Sequence, residues 1–302
     1  IVTSVGSVDS SGGIVTIVGE NLGSNASAIN VSIALSRCEV VTAAHTNATC
    51  EAPPGAGGGL GVRVGVSGQW SFSDALFSYW APVIGNVSGV GTGGGWITVS
   101  GRNFGSRGDP MSVKVNGVEC GNVTRVVNHT TLACMTEGST DGTVDEVLVH
   151  VGGREGDVLI GVGVLSYAAP GIDNVSGVDT DGGLVTIRGS SFGLTGATVR
   201  IGGAACEGVV YVVPHSVIAC RVGGSDGPRG VLNVTVDLNG AQGRGSFSYA
   251  PPRIFTVSSV GTAGGNVTIR GASFGGIRDV TIGGRPCVLR ESAHGEVVCG
   301  VE

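Results

Sequence analysis

The chain has 302 residues; 13% are charged, 41% belong to the apolar set that includes Tyr and Cys, and 57 are glycine. That balance excludes a charged disordered chain and a long coiled coil, both of which need many more Glu, Lys and Arg, and the glycines follow no Gly-X-Y period, which excludes collagen. The net charge is −6 and Lys114 is the one lysine, so a phosphate backbone would meet no basic stripe; the longest apolar stretch, near Val158 to Leu165, is broken by glycine and too short to span a bilayer.

Four segments of the chain align with one another. The first opens at Ile1 with VTSVGSVDSSGGIVTIVGENLGS, carries Cys38 and Cys50, and closes in FSYW around Tyr79. The second opens at Pro82, runs through the alternating stretch WITVSG at Trp96, an NFG turn and VKVNG at Val113, carries Cys120 and Cys134, and closes in LSYA around Tyr167. The third opens at Pro170, continues through VTIRG at Val185, Cys206, Cys220 and VLNVTVDL at Val231, and closes in FSYA around Tyr249. The fourth opens at Pro252, carries Cys287 and Cys299, and stops at Glu302 without the closing strands, which leads us to expect a longer natural chain. Gly19, Gly101, Gly189 and Gly271 mark the same place in each copy, at spacings of 82, 88 and 82. A period of that size suits a small domain with its own core, so four units are expected: 1–81, 82–169, 170–251 and a truncated 252–302.

The apolar residues alternate with period two in short Val-, Ile- and Thr-rich runs bounded by Gly, Asn and Asp, and no segment holds a helical period. This predicts an all-β chain of sandwiches. The paired glycines at Gly12, Gly94, Gly182 and Gly264 suit turns with positive φ or close backbone approach. The G-x-x-[FL]-G element, as in Gly101, Phe104 and Gly105, reads as a turn that tucks one large apolar side chain under the sandwich. Joints of only two residues, one of them containing proline, predict a semi-rigid, rod-like array.

The succession of proline, V-x-x-V, T-x-G-G, a V-T-I-x-G strand, N-F-G or S-F-G, V-x-I-x-G-x-x-C and a later cysteine resembles the IPT/TIG family of immunoglobulin-like domains. The resemblance runs along nearly the whole chain, with the fourth copy incomplete. It implies tandem immunoglobulin-like β-sandwiches, as in plexin-type and Met-type receptor ectodomains, fibrocystin-like proteins, some transcription factors and some secreted carbohydrate-active enzymes; the fold does not choose among those settings.

Eight cysteines fall two to a copy, which argues for a disulfide framework: Cys38, Cys50, Cys120, Cys134, Cys206, Cys220, Cys287 and Cys299. Sequence alone leaves the connectivity open, and pairing within each copy is the simplest scheme. A histidine stands five residues before each second cysteine, at His45, His129, His215 and His294. No C-x-x-C chelate accompanies it and each copy offers three candidate ligands where structural zinc takes four, so we expect a turn or edge residue and no metal site. Nine of thirteen asparagines head N-x-[ST] sequons, namely Asn25, Asn30, Asn47, Asn86, Asn122, Asn128, Asn174, Asn233 and Asn266. Chance would supply roughly two, so the excess points to an N-glycosylated chain of the secretory pathway, outside the cell or on its surface.

Catalysis finds no local signature: the chain has no G-x-S-x-G, H-E-x-x-H or P-loop. Asp173, Asp179 and Asp181 cluster near a junction, but the cluster is not repeated, the matching loops of the second and fourth copies reading VGTGGG and VGTAGG, so an ordinary turn is expected in place of a calcium site. Glu137, Asp141, Asp145 and Glu146 read as a solvated insert. Trp70, Trp80 and Trp96 are the candidates for sugar stacking; Trp96 aligns with Ile14, Leu184 and Asn266, and that alignment predicts packing for Trp96 with partial exposure for Asn266. The resulting expectation is a non-catalytic extracellular glycoprotein without cofactors. Its repeats would form a structural or adhesive surface array, a filament or an appendage, partnered by copies of itself or other extracellular proteins and by its N-linked glycans. The alternative is the spacer of a plexin-like or Met-like receptor ectodomain. A nucleic-acid partner is opposed by the charge and the sequons.

Overall fold

The computed structural model describes residues 1–152, 157–225 and 230–302. They form an all-β chain of antiparallel strands, with one 3₁₀ turn at Ala26–Ala28. Among the described residues no helix is long and apolar enough to cross a membrane. The chain divides into two compact units: Ile1–Val90 with Gly94–Glu137 and Val144–Ser166, and Gly91–Gly93 with Gly138–Thr143 and Tyr167–Glu302.

In the first copy the strands are β1 (Val2–Val5), β2 (Gly13–Gly19), β3 (Ile29–Ile33), β4 (Ser36–Ala44), β5 (Asn47–Ala52), β6 (Leu60–Val66) and β7 (Gln69–Phe77). Their order is β1-β2-β5-β4-β3-β6-β7. The alternation seen in the sequence sorts side chains between faces: Val15 and Ile17 of β2 are buried, whereas Ile14 and Val18 are exposed. β4 belongs to both layers, pairing with β3 through Cys38 and with β5 from Glu39 onward. The second and third copies each form two separate four-stranded sheets, and the fourth a five-stranded sheet.

The crossing from one layer to the other recurs at the first cysteine of every copy. Glu119 still pairs with Lys114, and Gly121 already pairs with Met135, so Cys120 is the crossing residue. Cys206 separates the Ala205–Arg200 and Glu207–Arg221 pairs in the same way, and Cys287 pairs with Val280 just before Val288 meets Gly300. The disulfides are Cys38–Cys50, Cys120–Cys134, Cys206–Cys220 and Cys287–Cys299, with Cα atoms 5.5, 5.8, 5.6 and 5.4 Å apart. The second member of each pair lies on a central strand, where Cys134 registers with Ile97 and Cys220 with Val185. Each bond therefore pins the crossing point to the middle of a sheet.

The G-x-x-[FL]-G turn does place one large side chain inside: Leu22, Phe104, Phe192 and Phe274 are all buried. The glycine that opens it has a steric reason. A Cβ at Gly101 would stand 2.0 Å from the Val83 carbonyl oxygen and 2.7 Å from Cζ of Phe104, and one at Gly189 would meet the Gly171 oxygen at 1.9 Å. The first glycine of each pair also has positive φ, from 78° at Gly94 to 90° at Gly12, in the region where an L side chain is strained.

At the closing element, Phe77 and Tyr79 pack edge to face with centroids 4.8 Å apart, as do Phe247 and Tyr249 at 4.9 Å. The Tyr79 hydroxyl donates to the Pro53 carbonyl at 2.7 Å, and that of Tyr249 to Gly223 at 2.7 Å. Burial, aided by the negative charge of Asp109, pushes the Tyr79 phenol up to about 12. Below pH 10 both folded and unfolded forms hold the proton, so the buried phenol has its full stabilising effect there. Between pH 10 and 12 the unfolded chain ionises first, and that stability is lost as pH rises. Ultraviolet difference titration should show late-titrating tyrosine, of which the Tyr79 share is lost in Tyr79→Phe while that of Tyr211, whose phenol burial also pushes up, remains; Tyr79→Phe should lose about 1 kcal/mol at neutral pH with the hydrogen bond.

Candidate functional site

The recurring histidines build the most distinctive arrangement of polar groups. In the first unit the ring Nδ1 of His129 lies 2.8 Å from Oγ of Ser10, a residue 119 positions earlier in the chain. Ser10 is fully buried. Its backbone N–H donates to Oδ1 of Asn103 at 3.1 Å, and Nδ2 of Asn103 donates to the Ala81 carbonyl at 3.1 Å. His129 is held by the turn around Phe104: its N–H donates to the Gly105 carbonyl, and its carbonyl accepts from the Phe104 N–H. Asn103 and His129 both adopt left-handed backbone, at φ 64° and 67°.

The second unit contains the same device twice. Nδ1 of His215 lies 3.1 Å from Oγ1 of buried Thr92, which also accepts the Gly193 N–H at 3.1 Å. Nδ1 of His294 lies 3.0 Å from Oγ1 of Thr180, and beside it Ser273 donates to Oδ1 of Asp179 at 2.6 Å. Phe192 and Phe274 donate their N–H groups to the carbonyls of His215 and His294, so the turn that buries the phenylalanine also aims the histidine. Ser10, Thr92 and Thr180 precede the paired glycines of their own copies. A histidine from one copy thus closes on a hydroxyl from the copy before it. His45 and Thr262, the corresponding residues of the first and fourth copies, are exposed.

These contacts revise the expected turn-or-edge role of the histidines. The spacing of histidine and cysteine carried no hint that the ring reaches the preceding copy; the available signal was that a hydroxyl recurs two residues before the first glycine of each pair, at Ser10, Thr92 and Thr180, as a histidine recurs before each second cysteine. A zinc set built on the cysteines is closed off, because all eight are joined in disulfides and a disulfide sulfur is not a thiolate ligand. Among the described residues no group of three His, Cys, Asp or Glu is placed to hold a metal.

Other sequence expectations fall differently. Trp96 does not pack inside: it is 53% exposed, and Ile14 and Leu184 at the same position are 55% and 58% exposed. The position faces outward because the next residue of the strand, Val15, Ile97, Val185 or Val267, is the one that turns into the core. Asn266 is exposed too. The insert of the second copy is not a solvated loop throughout. Asp145 and Glu146 lie in the strand Asp145–Val151, Ser139 is buried, and the Thr140 carbonyl accepts the Leu194 N–H. Asp141 accepts from the backbone and hydroxyl of Thr143, which holds its carboxyl below the usual range. All nine sequon asparagines are exposed. The hydroxyls of Ser88 and Ser176, in the sequons of Asn86 and Asn174, accept backbone N–H groups from Thr98 and Thr186; Ser258 does so where the fourth copy has no sequon.

Thr92→Val tests the joint. It leaves the Gly193 N–H and the His215 ring without their oxygen, and we expect a loss of about 1–3 kcal/mol. Thr262→Val, at an exposed hydroxyl, should stay within about 0.5 kcal/mol. Amide exchange at Gly193 and unfolding midpoints compare the two; equal effects would remove the joint as an energetic feature.

The fold and the joints define a class of protein: tandem immunoglobulin-like sandwiches, each with a disulfide at its layer crossing. The IPT/TIG domain family matches residues 1–79, 82–163 and 170–250, and the chain belongs to that family. It is 26% identical over 289 residues to Fibrocystin-L of Homo sapiens, covering 89% of this chain and 7% of that protein. Among solved structures it is similar to the plexin A4 extracellular region, at 14% identity and a TM-score of 0.27 over 99% of this chain and 44% of that one. It is also similar to SGBP-B from a xyloglucan utilization locus in Bacteroides uniformis, at 15% identity and 0.27 over 64% and 66%.

Proposed function

We propose that this chain is a non-catalytic extracellular glycoprotein region whose four units, 1–81, 82–169, 170–251 and 252–302, serve as a structural or adhesive array. The observation that carries this reading is the threefold recurrence of the Ser/Thr–His joint, once within the first compact unit and twice within the second, which supports a firmly packed interior in each. A repeated, partly buried contact of this kind would limit motion where it occurs, as a spacer or structural element requires. The disulfides suit an oxidising compartment. Outward placement of nine sequons suits N-glycosylation at Asn25, Asn30, Asn47, Asn86, Asn122, Asn128, Asn174, Asn233 and Asn266. The partners would be further copies of itself or other extracellular proteins, assembled in a filament or appendage.

Electron microscopy of the protein isolated from its source, neither reduced nor deglycosylated, tests this. Filaments or sheets with a repeat related to the domain length are the expected result. Discrete particles tethered to membrane would replace it with the reading of a plexin-like or Met-like receptor spacer.

A further inference from the structure

The outer face of the first copy carries exposed aromatic surface beside a sequon. β3, β6 and β7 lie side by side, and their register sets two rows across them: Asn30, Gly65 and Trp70, then Ser32, Arg63 and Phe72. Gly65 leaves room for its neighbour, since a Cβ there would stand 2.9 Å from the indole of Trp70. The ring therefore leans over the β6 backbone, toward the strand that bears Asn30. Trp70 is 53% exposed and Phe72 74%. Between them lies the Arg63 guanidinium, 5.6 Å from the Trp70 ring and 4.5 Å from the Phe72 ring, which braces both. Arg63 Nε is buried without a hydrogen-bond partner. An indole laid flat and left half open is a surface shaped for something that is itself flat and partly apolar.

We propose that Asn30 is N-glycosylated and that its innermost N-acetylglucosamine stacks on the Trp70 indole. The C–H face of a pyranose is apolar and matches an aromatic face in size. Adjacent strands stand about 4.8 Å apart, so Asn30 and Trp70 are about 10 Å apart at the backbone, a gap the leaning indole and the first sugar fill from opposite sides. Covalent attachment makes the contact intramolecular, so no free ligand need be captured from solution. The inference rests on the glycosylated, extracellular reading above.

The test uses the full chain secreted from a glycosylating host fed acetyl-labelled N-acetylglucosamine. Glycopeptide mass spectrometry reads occupancy, and Asn30→Gln identifies the acetyl methyl resonance of that glycan. The expected result is an occupied Asn30 whose methyl signal is shifted upfield of the other glycans by the indole ring current. Trp70→Leu should return the signal to the common position, while Trp70→Phe should keep part of the shift. An unshifted signal overturns the stacking, and so does a bare Asn30 on a chain whose other sequons are occupied. All nine sequons bare would overturn the extracellular reading with it. Quenching of indole fluorescence by free oligosaccharide, lost in Trp70→Leu, would assign the platform to an external glycan instead.

Discussion

Replacing Cys120 and Cys134 together with alanine should lower the stability of the second copy by about 2–5 kcal/mol. The bond closes a 14-residue separation, for which chain entropy alone accounts for about 3 kcal/mol. Its position adds to that figure. Cys120 is where the chain leaves one sheet for the other, and Cys134 sits opposite Ile97 in the buried middle of its sheet. Without the bond, the short strand Val118–Glu119 is held to its sheet by two pairs. Removing both sulfurs also leaves space in the core, for which the surrounding strands have no replacement atoms. Urea unfolding should move by about 1–2 M at a typical slope. Hydrogen exchange should locate the loss between residues 83 and 165, with residues 1–79 nearly unchanged. A uniform loss throughout the first unit would mean that its two copies unfold together.

The second large effect is expected at the turn glycine and the ring it faces. Phe192→Ala empties a fully buried site and should cost about 3–5 kcal/mol. Gly189→Ala attacks the same place from the other side. Its Cβ would stand 1.9 Å from the Gly171 oxygen and 2.7 Å from Cζ of Phe192. Neither can yield: the oxygen belongs to a paired strand, and the ring is enclosed. Overpacking of this kind costs about 1–3 kcal/mol and occasionally more. Both changes should also loosen His215, because the Phe192 N–H donates to its carbonyl. Gly223→Ala is the control, as a Cβ there meets nothing within 4 Å. Thermal unfolding of the three variants orders them; a Gly189→Ala protein as stable as the control would show that the Gly171 strand shifts freely.

The repeat, the strands and the outward sequons were legible because each rests on local rules. Val185 and Ile187 alternate with exposed Leu184 in a pattern that only a half-buried strand produces. The buried phenylalanine at the turn was legible for a similar reason, since an apolar residue fixed between two glycines has few other places to go. The joints were not legible. Ser10 and His129 are 119 residues apart, and no pattern within one copy declares a bond to another. Trp96 was misjudged because a large aromatic in a strand suggests packing, whereas the register turns that position toward solvent in every copy. The insert of the second copy was misread for a related reason: exposed-looking Asp and Glu concealed backbone groups, such as the Thr140 carbonyl, that are committed to hydrogen bonds.

The Ser/Thr–His contact also bears on how such chains are lengthened. Each of the first three copies carries the hydroxyl before its paired glycines, and each of the last three carries the ring that reaches it. One unit therefore encodes both the plug and the socket. Duplicating the unit in the gene copies a matched pair, and the new junction needs no mutations of its own. Contacts of this head-to-tail kind can be extended without altering the parts already joined. Selection on array length can then act through copy number alone, leaving the glycine turn and the disulfide crossing of every unit under the same separate constraint.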